Sequence, residues 1–141
     1  MKFMLKTEKG RLEIMNENQK NVLVVDDIAS IRAFIRIILE DAKYNVFEAS
    51  NGEEGIEEYK KLGNIDLIIT DVYMPVKSGL ELVVELKQYD ESIKTIVLSD
   101  GGKSNFSNEL GIVEALGATH FMKKDLIKDK LVYLVDKLFS E

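Results

Sequence analysis

Five short apolar runs, each followed by a segment with helical periodicity, restrict this chain to very few folds. The run at residues 65–69 is nearly continuous, which is typical of a strand that is buried on both faces of a parallel sheet. The other four predicted strands cover residues 22–25, 44–49, 93–98 and 119–122. Because strands and helices alternate, the strands must be parallel, with right-handed crossovers that place helices on both faces. We therefore predict a five-stranded α/β domain.

The predicted helices are marked by apolar residues that recur every three or four positions. The first helix covers about residues 28–41. Its core stripe comprises Ile31, Phe34, Ile35, Ile38 and Leu39. A cap at Ser50 or Asn51 begins the second helix, which Gly63 ends. The remaining helices are predicted at residues 80–88, 109–116 and 126–139.

Length and composition narrow the class of protein further. A chain of 141 residues with 45% hydrophobic and 31% charged residues is expected to form one globular domain. Residues 1–20 do not fit the alternating pattern. We therefore assign residues 21–141 to the domain and residues 1–20 to an extension that is either a hairpin or disordered.

The charge and the cysteine content exclude several kinds of partner and site. The net charge of −6 argues against direct nucleic-acid binding, which needs a basic surface. The sequence has no cysteine, so disulfides and thiolate metal sites are excluded. No apolar run approaches the roughly 20 residues of a membrane span, and the apolar block at residues 3–5 is too short for a signal peptide. We therefore expect a cytoplasmic protein that makes no membrane contact.

Polar and charged residues follow four of the predicted strands at the point where each strand ends. Asp26 and Asp27 follow the first strand, and Asp71 follows the third. Ser99 and Lys124 follow the fourth and fifth strands. In a doubly wound sheet these ends share one edge, where ligands bind, so we expect the five side chains to converge. Two carboxylates about 5 Å apart repel by roughly 3 kcal/mol at an effective dielectric of about 20, and a bound Mg²⁺ would remove that repulsion.

This pattern resembles the receiver domain of two-component response regulators over residues 20–140. The resemblance rests on the acidic pair after strand one, the motif Asp71-x-x-Met74-Pro75-x-x-x-Gly79, the hydroxyl after strand four and the lysine after strand five. It implies a flavodoxin-like doubly wound sheet with strand order 2-1-3-4-5, an order that five β–α units also fit. Taken singly, each feature has an ordinary explanation, such as a turn carboxylate, a helix cap or a surface lysine.

The resemblance implies a role for each acidic residue at this edge. Asp71 would be the nucleophile that accepts a phosphoryl group from a histidine kinase or a histidine phosphotransfer protein. Asp26, Asp27 and Asp71, together with the backbone carbonyl of Tyr73, would hold Mg²⁺. The protein would not be an enzyme in the usual sense, because it would catalyse only its own phosphorylation and dephosphorylation.

The resemblance also implies a conformational switch, and the apolar pattern of the first helix suggests a docking surface. Lys124 and Ser99 would each contact a phosphoryl oxygen, and the movement of Ser99 would let Phe121 turn inward. Ile28 and Ile37 lie off the core stripe of the first helix, so we expect both to be exposed. Exposed apolar residues beside a phosphorylation site suggest a docking patch for a helical phosphodonor.

Three positions depart from the family pattern. Lys124 is followed by Asp125 instead of proline, and a cis bond before a non-proline residue costs about 2.5–4 kcal/mol, so we expect a trans bond here. The choice between Lys123 and Lys124 is made by the spacing from Phe121, which favours Lys124. Asp100 follows the hydroxyl where the family prefers a small residue, and residues 101–105 predict a flexible polar loop. None of these departures removes a catalytic group.

Other functions remain open from the sequence. A phosphorylation-independent adaptor would be favoured if the departures disabled the chemistry. A Mg²⁺-dependent phosphatase with an aspartyl nucleophile would carry Asp-x-Asp after the first strand, whereas Asp26 and Asp27 are adjacent here. An FMN carrier would need a hydroxyl-rich phosphate loop after that strand, and the two aspartates would repel the phosphate. No residues follow Glu141 to form an output domain, which fits a stand-alone switch and equally a receiver cut from a longer protein.

Overall fold

The computed structural model describes the backbone of residues 2–6, 12–100 and 106–141 and the side chains of residues 16–100 and 110–141. The strands are β1 (Lys2–Lys6), β2 (Leu12–Asn16), β3 (Asn21–Val25), β4 (Asn45–Ala49), β5 (Leu67–Asp71), β6 (Lys94–Ser99) and β7 (His120–Lys123). The α-helices are α1 (Ala29–Asp41), α2 (Gly52–Leu62), α3 (Gly79–Tyr89), α4 (Phe106–Ala115) and α5 (Ile127–Ser140). A short 3-10 helix, Lys124–Leu126, joins β7 to α5.

The strands β3 to β7 form one parallel sheet with the order β4-β3-β5-β6-β7. Counted along the chain within this sheet, the order is 2-1-3-4-5, so the predicted flavodoxin-like doubly wound fold is confirmed. The direction of winding changes between β3 and β5, where Val25 lies opposite Thr70. The acidic pair after β3 and Asp71 at the end of β5 therefore flank the switch point of the sheet.

Helices cover both faces of the sheet, which explains why its strands are nearly all apolar. On one face, α1 and α5 pack against Val22, Val24 and Leu67. On the other face, α2 and α3 pack against Leu23 and Ile68. Helix α4 completes the layer beside α3 through a smaller cluster that joins its own side chains to those of β6 and α3.

The core stripe of α1 is narrower than the sequence predicts. Ile35 and Leu39 are fully buried, and Ile31 and Ile38 are half-buried against the same cluster. Phe34 is 38% exposed, so the prediction that it belongs to the core is wrong. Each residue rotates the helix by about 100°, and this places Phe34 at the margin of a stripe centred on Ile35 and Leu39.

The helix boundaries follow local capping chemistry. Asn51, not Ser50, caps α2, because its side-chain oxygen accepts the N–H of Glu54 at 2.9 Å. Gly63 ends α2 with a φ of 77°, as predicted. Helix α4 begins at Phe106, three residues earlier than expected, and the polar loop predicted at residues 101–105 lies outside the described residues. No helix in the described part of the chain is long and apolar enough to cross a membrane.

The strands β1 and β2 form an antiparallel hairpin that precedes the sheet. A network of amide groups joins its base to β3 and β4: Asn16 N–H donates to Asn45 Oδ1 (3.1 Å), and Asn45 Nδ2 donates to the Asn16 carbonyl (2.8 Å). Asn45 Nδ2 also donates to Asn21 Oδ1 at 2.8 Å, in a buried position. The turn expected around Gly10 lies outside the described residues.

Candidate functional site

Asp71 is the last residue of β5 and is almost completely buried. The N–H of Val72 donates to the Leu98 carbonyl at 2.9 Å, which extends the pairing of β5 with β6 by one residue. Thr70 Oγ1 donates to the Asp71 carbonyl oxygen at 3.1 Å. The backbone on both sides of Asp71 is therefore fixed, and its carboxylate lies at the carboxyl edge of the central strand.

The acidic pair lies on the neighbouring strand end. Asp26 is 1% exposed; its N–H donates to the Ala49 carbonyl (3.1 Å), and its Oδ1 accepts the N–H of Ile28 (2.8 Å). Asp27 is exposed. One carboxylate oxygen from each of Asp26, Asp27 and Asp71 lies within 4.8 Å of the other two. The structure therefore brings together the three acids that the sequence singles out.

Lys124 enters the same cluster from the end of β7. Its Nζ lies 2.9 Å from Asp26 Oδ2, 3.4 Å from Asp71 Oδ2 and 3.6 Å from Asp100 Oδ1. Lys123 is the last residue of β7. The contacts therefore agree with the choice of Lys124. No cis peptide bond occurs in the described residues, and without a proline at position 125 the chain continues directly into the 3-10 helix.

Burial and charge shift the titration of this cluster. Burial raises the pKa of Asp71 to about 6, with further upward contributions from the charges of Asp26 and Asp100, while Lys124 acts in the opposite direction. The pKa of Lys124 is raised, because its contacts with the carboxylates outweigh the effect of burial. Asp71 therefore holds its negative charge less readily than an exposed aspartate, and a cation beside it would favour the ionised form.

The residues present fit a hard divalent cation. Asp26 Oδ2 is a buried oxygen that receives no hydrogen bond among the described residues, since its contact with Lys124 is an ion pair without hydrogen-bonding geometry. The donor set consists only of carboxylate oxygens, and the edge of the site at Asp27 is open to solvent. Such a set is typical of Mg²⁺, which keeps several waters when it binds to proteins.

Two of the other predicted site residues, Ser99 and Tyr73, lie at or just beyond the same edge of the sheet, whereas Phe121 lies two residues before the end of β7. Ser99 is the last residue of β6; it is buried and stands opposite Lys123 in the pairing with β7. Phe121 is half-buried on β7 and packs against the cluster that contains Val97. The side chain of Tyr73, two residues after Asp71, is largely exposed.

The loop between Asp71 and α3 contains backbone features that the sequence does not predict. Lys77 N–H donates to the Pro75 carbonyl at 2.9 Å, and Val76 between them has a φ of 73°. This γ-turn is rare and strained, particularly around a β-branched residue. Gly79 then passes so close to the strand that a Cβ at this position would lie 1.8 Å from the Asp71 carbonyl oxygen. Residue 79 is therefore a glycine because of this contact.

Two further residues beside the site were not predicted. Arg32 of α1 donates through Nη1 to the carbonyl oxygen of Asp26 (2.6 Å) and through Nε to Glu48 of β4 (3.0 Å). The sequence feature that could have indicated this contact is Glu48, a charged residue within the second apolar run. A buried-strand position that carries a charge indicates a partner nearby.

Comparison with known proteins agrees with this geometry. Residues 22–136 match the response regulator receiver domain family. The chemotaxis protein CheY of Thermotoga maritima is 34% identical over 122 residues, which cover 84% of this chain and 97% of that protein. Sporulation initiation phosphotransferase F of Bacillus subtilis is 31% identical over 110 residues, which cover 78% of this chain and 84% of that protein.

Solved structures give the same result. The response regulator TrrA of Thermotoga maritima, in complex with Mg²⁺-BeF, superposes with a TM-score of 0.75 at 32% identity, covering 85% of this chain and 99% of that chain. The chemotaxis protein CheY4 of Vibrio cholerae gives a TM-score of 0.76 at 29% identity, covering 84% of this chain and 98% of that chain. With its strand order, its edge of acids and lysine, and a family match over most of its length, this chain belongs to the response regulator receiver domains of two-component signalling.

Proposed function

We propose that this receiver domain is a phosphoacceptor switch that is phosphorylated on Asp71. The observation that carries the proposal is the arrangement of a buried carboxylate, two further acids and a lysine at the switch point of the sheet. Placing four charged groups in so little space is costly. An inactive receiver would gain nothing from that cost, so the lysine and the acidic pair beside Asp71 favour an active one.

The proposed reaction transfers a phosphoryl group from a phosphohistidine. A carboxylate oxygen of Asp71 forms a bond to phosphorus while the bond from phosphorus to the histidine nitrogen breaks, and the nitrogen keeps the electron pair. The product is an acyl phosphate on Asp71 and a free histidine on the donor. When bound at Asp26, Asp27, Asp71 and the Tyr73 carbonyl, Mg²⁺ would supply positive charge beside the phosphoryl oxygens.

The chain's own residues have two tasks in this reaction. Lys124 pairs with Asp26 and Asp71 before transfer, and it would pair with a phosphoryl oxygen afterwards. Ser99, buried at the adjacent strand end, would donate its hydroxyl to another oxygen. Its displacement would be passed to Phe121, which is half-buried on the next strand.

The proposed donor is a histidine kinase or a histidine phosphotransfer protein that docks on α1. The predicted exposure of Ile28 and Ile37 is confirmed: Ile28, the N-cap residue of α1, is 45% exposed, and Ile37 is 66% exposed. Phe34 is a third exposed apolar side chain on this helix. An apolar surface on α1, which begins beside the acidic pair, suits a helical donor that must bring its histidine to Asp71.

Intact-mass analysis after incubation with acetyl phosphate and Mg²⁺ tests the proposal. We expect one phosphoryl adduct on the wild type and on Asp129→Asn, which removes an exposed acid of α5, but none on Asp71→Asn. An adduct that persists in Asp71→Asn would refute the assignment. A generic phosphate ester should not be turned over, and steady hydrolysis of one would favour a phosphatase instead.

A further inference from the structure

Arg32 connects the acidic pair to a second strand of the sheet. It lies in the first turn of α1, and its guanidinium donates in two directions, to the Asp26 carbonyl oxygen (2.6 Å) and to Glu48 Oε1 (3.0 Å). The side chains of Arg32 and Glu48 are 18% and 16% exposed. This ion pair is therefore mostly shielded from water and fixed at both ends, unlike an ordinary surface pair.

The contact with the Asp26 carbonyl controls more than one residue. That carbonyl belongs to the peptide group between Asp26 and Asp27, and a peptide group is planar. The hydrogen bond to this oxygen therefore fixes the orientation of the peptide plane that leads into Asp27. Asp26 Oδ1 is occupied at the same time by the N–H of Ile28 (2.8 Å), which leaves Oδ2 directed at Lys124. Arg32 and the Ile28 N–H together fix the orientation of the pair.

Glu48 in turn determines where the guanidinium of Arg32 lies. Its second oxygen accepts Arg36 Nε at 2.7 Å, so one carboxylate on β4 binds two arginines of α1. Arg36 lies one turn further along the helix and reaches Glu40 at 3.0 Å instead of the acidic pair. Arg36 therefore shares the helix, the charge and the Glu48 contact with Arg32, but not the contact to Asp26.

We propose that Arg32 is a positioning residue of the phosphoacceptor site, which orients Asp26 and Asp27 for cation binding through the Asp26 carbonyl and is itself held by Glu48. This inference rests on the proposed function. Lysine at position 32 would keep the charge but lacks the planar fork through which Nη1 and Nε of arginine donate to two separate partners. Outer contacts of this kind typically change metal affinity by about 10–100-fold when they are lost.

Mg²⁺ titration by calorimetry at constant ionic strength tests this, with the metal alone as the probe. We expect Arg32→Lys to lose about tenfold in Mg²⁺ affinity and Arg36→Lys to stay within about twofold of the wild type. Arg32→Gln should also lose affinity, although removing a positive charge near a cation site would by itself strengthen binding. Equal affinities for Arg32→Lys and the wild type, or equal losses in both lysine variants, would overturn the inference.

Two further measurements keep the result interpretable. If Arg32→Lys does not fold, as judged by its thermal transition, Glu48→Ala takes its place, because alanine removes the acceptor of Arg32 Nε altogether; an unchanged Mg²⁺ affinity in Glu48→Ala would contradict the proposed role. The combined variant Arg32→Lys/Glu48→Ala should bind Mg²⁺ no more weakly than Arg32→Lys, because both changes break the same connection. The two ideas can fail separately. If the wild type never forms a phosphoryl adduct but Arg32→Lys still loses Mg²⁺ affinity, the proposed function is refuted and this inference stands.

Discussion

Replacing Asp100 by asparagine should accelerate phosphorylation of Asp71. Asp100 Oδ1 lies 3.6 Å from Lys124 Nζ, so its carboxylate would compete with an incoming phosphoryl group for the only cation that the described residues place in the cluster. The same carboxylate adds a negative charge where an anionic donor must approach. Asparagine keeps the size of the side chain and removes both effects.

The exposure of Asp100 limits the size of this effect. Two unit charges 3.6 Å apart attract by about 1 kcal/mol at the dielectric of water, about 80. The Asp100 side chain is 78% exposed, so solvent screening makes this an upper bound, as for other surface ion pairs. A difference of about 1 kcal/mol corresponds to a rate increase of about fivefold. We therefore expect an increase of between about twofold and fivefold at low salt, which becomes smaller at high salt as the Debye length shortens.

The assay follows the phosphoryl adduct by intact mass over time, with acetyl phosphate as donor at about 10 mM and about 500 mM ionic strength. Asp125→Asn is the matched control, because Asp125 is an exposed acid that directly follows Lys124 and changes the net charge equally. Equal rates for Asp100→Asn and the wild type at low salt would refute the reasoning. Equal acceleration in Asp125→Asn would show that net charge, not the contact with Lys124, sets the rate.

Three further outcomes are expected. The raised pKa of Asp71, about 6 against 3.8, means that the folded protein without metal binds a proton more tightly than the unfolded chain, so stability falls as pH rises from about 4 to 6. In EDTA at pH 7.5, Asp71→Asn should therefore have a free energy of unfolding in urea that is higher than that of the wild type by up to about 3 kcal/mol. This difference should shrink towards pH 4, and a difference that stays constant with pH would contradict the reasoning. Asp27→Ala should lower Mg²⁺ affinity far more than Asp125→Ala does in calorimetric titration, and equal affinities would remove Asp27 from the metal site. Ile37→Lys should slow phosphoryl transfer from the cognate histidine donor and leave phosphorylation by acetyl phosphate unchanged. Tyr133→Lys, at an exposed position on α5, serves as its control. Unchanged transfer in Ile37→Lys would mean that the donor docks on another surface.

Much of the fold follows from patterns that act over a few residues. The apolar runs and the helical repeat specify alternating elements, and alternation leaves the parallel sheet as the arrangement that buries both faces. Once the strands are parallel, their polar ends must share one edge. The convergence of Asp26, Asp71 and Lys124 could therefore be predicted from the sequence, although the distances between them could not.

The features that escaped prediction depend on contacts between distant parts of the chain. Phe34 fits a helical repeat, and only the packing of α1 against the sheet determines that it stays exposed. Arg32 looks like a surface residue of an amphipathic helix until β4 brings Glu48 beside it. The positive φ of Val76 has no signal in the sequence, since valine is among the residues least suited to it. These are effects of tertiary context overriding local preference.

The close approach of Gly79 to the main chain of Asp71 has a consequence for how this protein can vary. A single methyl group at position 79 would overlap the Asp71 carbonyl oxygen, and backbone atoms on a central strand cannot withdraw as a flexible side chain could. The N–H of Gly79 also donates to the Val72 carbonyl at 2.9 Å, so α3 is attached directly to the end of the strand that carries Asp71, the proposed phosphoacceptor. No gradual series of larger side chains is therefore accessible at residue 79, and a deep mutational scan should find it intolerant even of alanine, while its neighbour Ser78 accepts other capping residues.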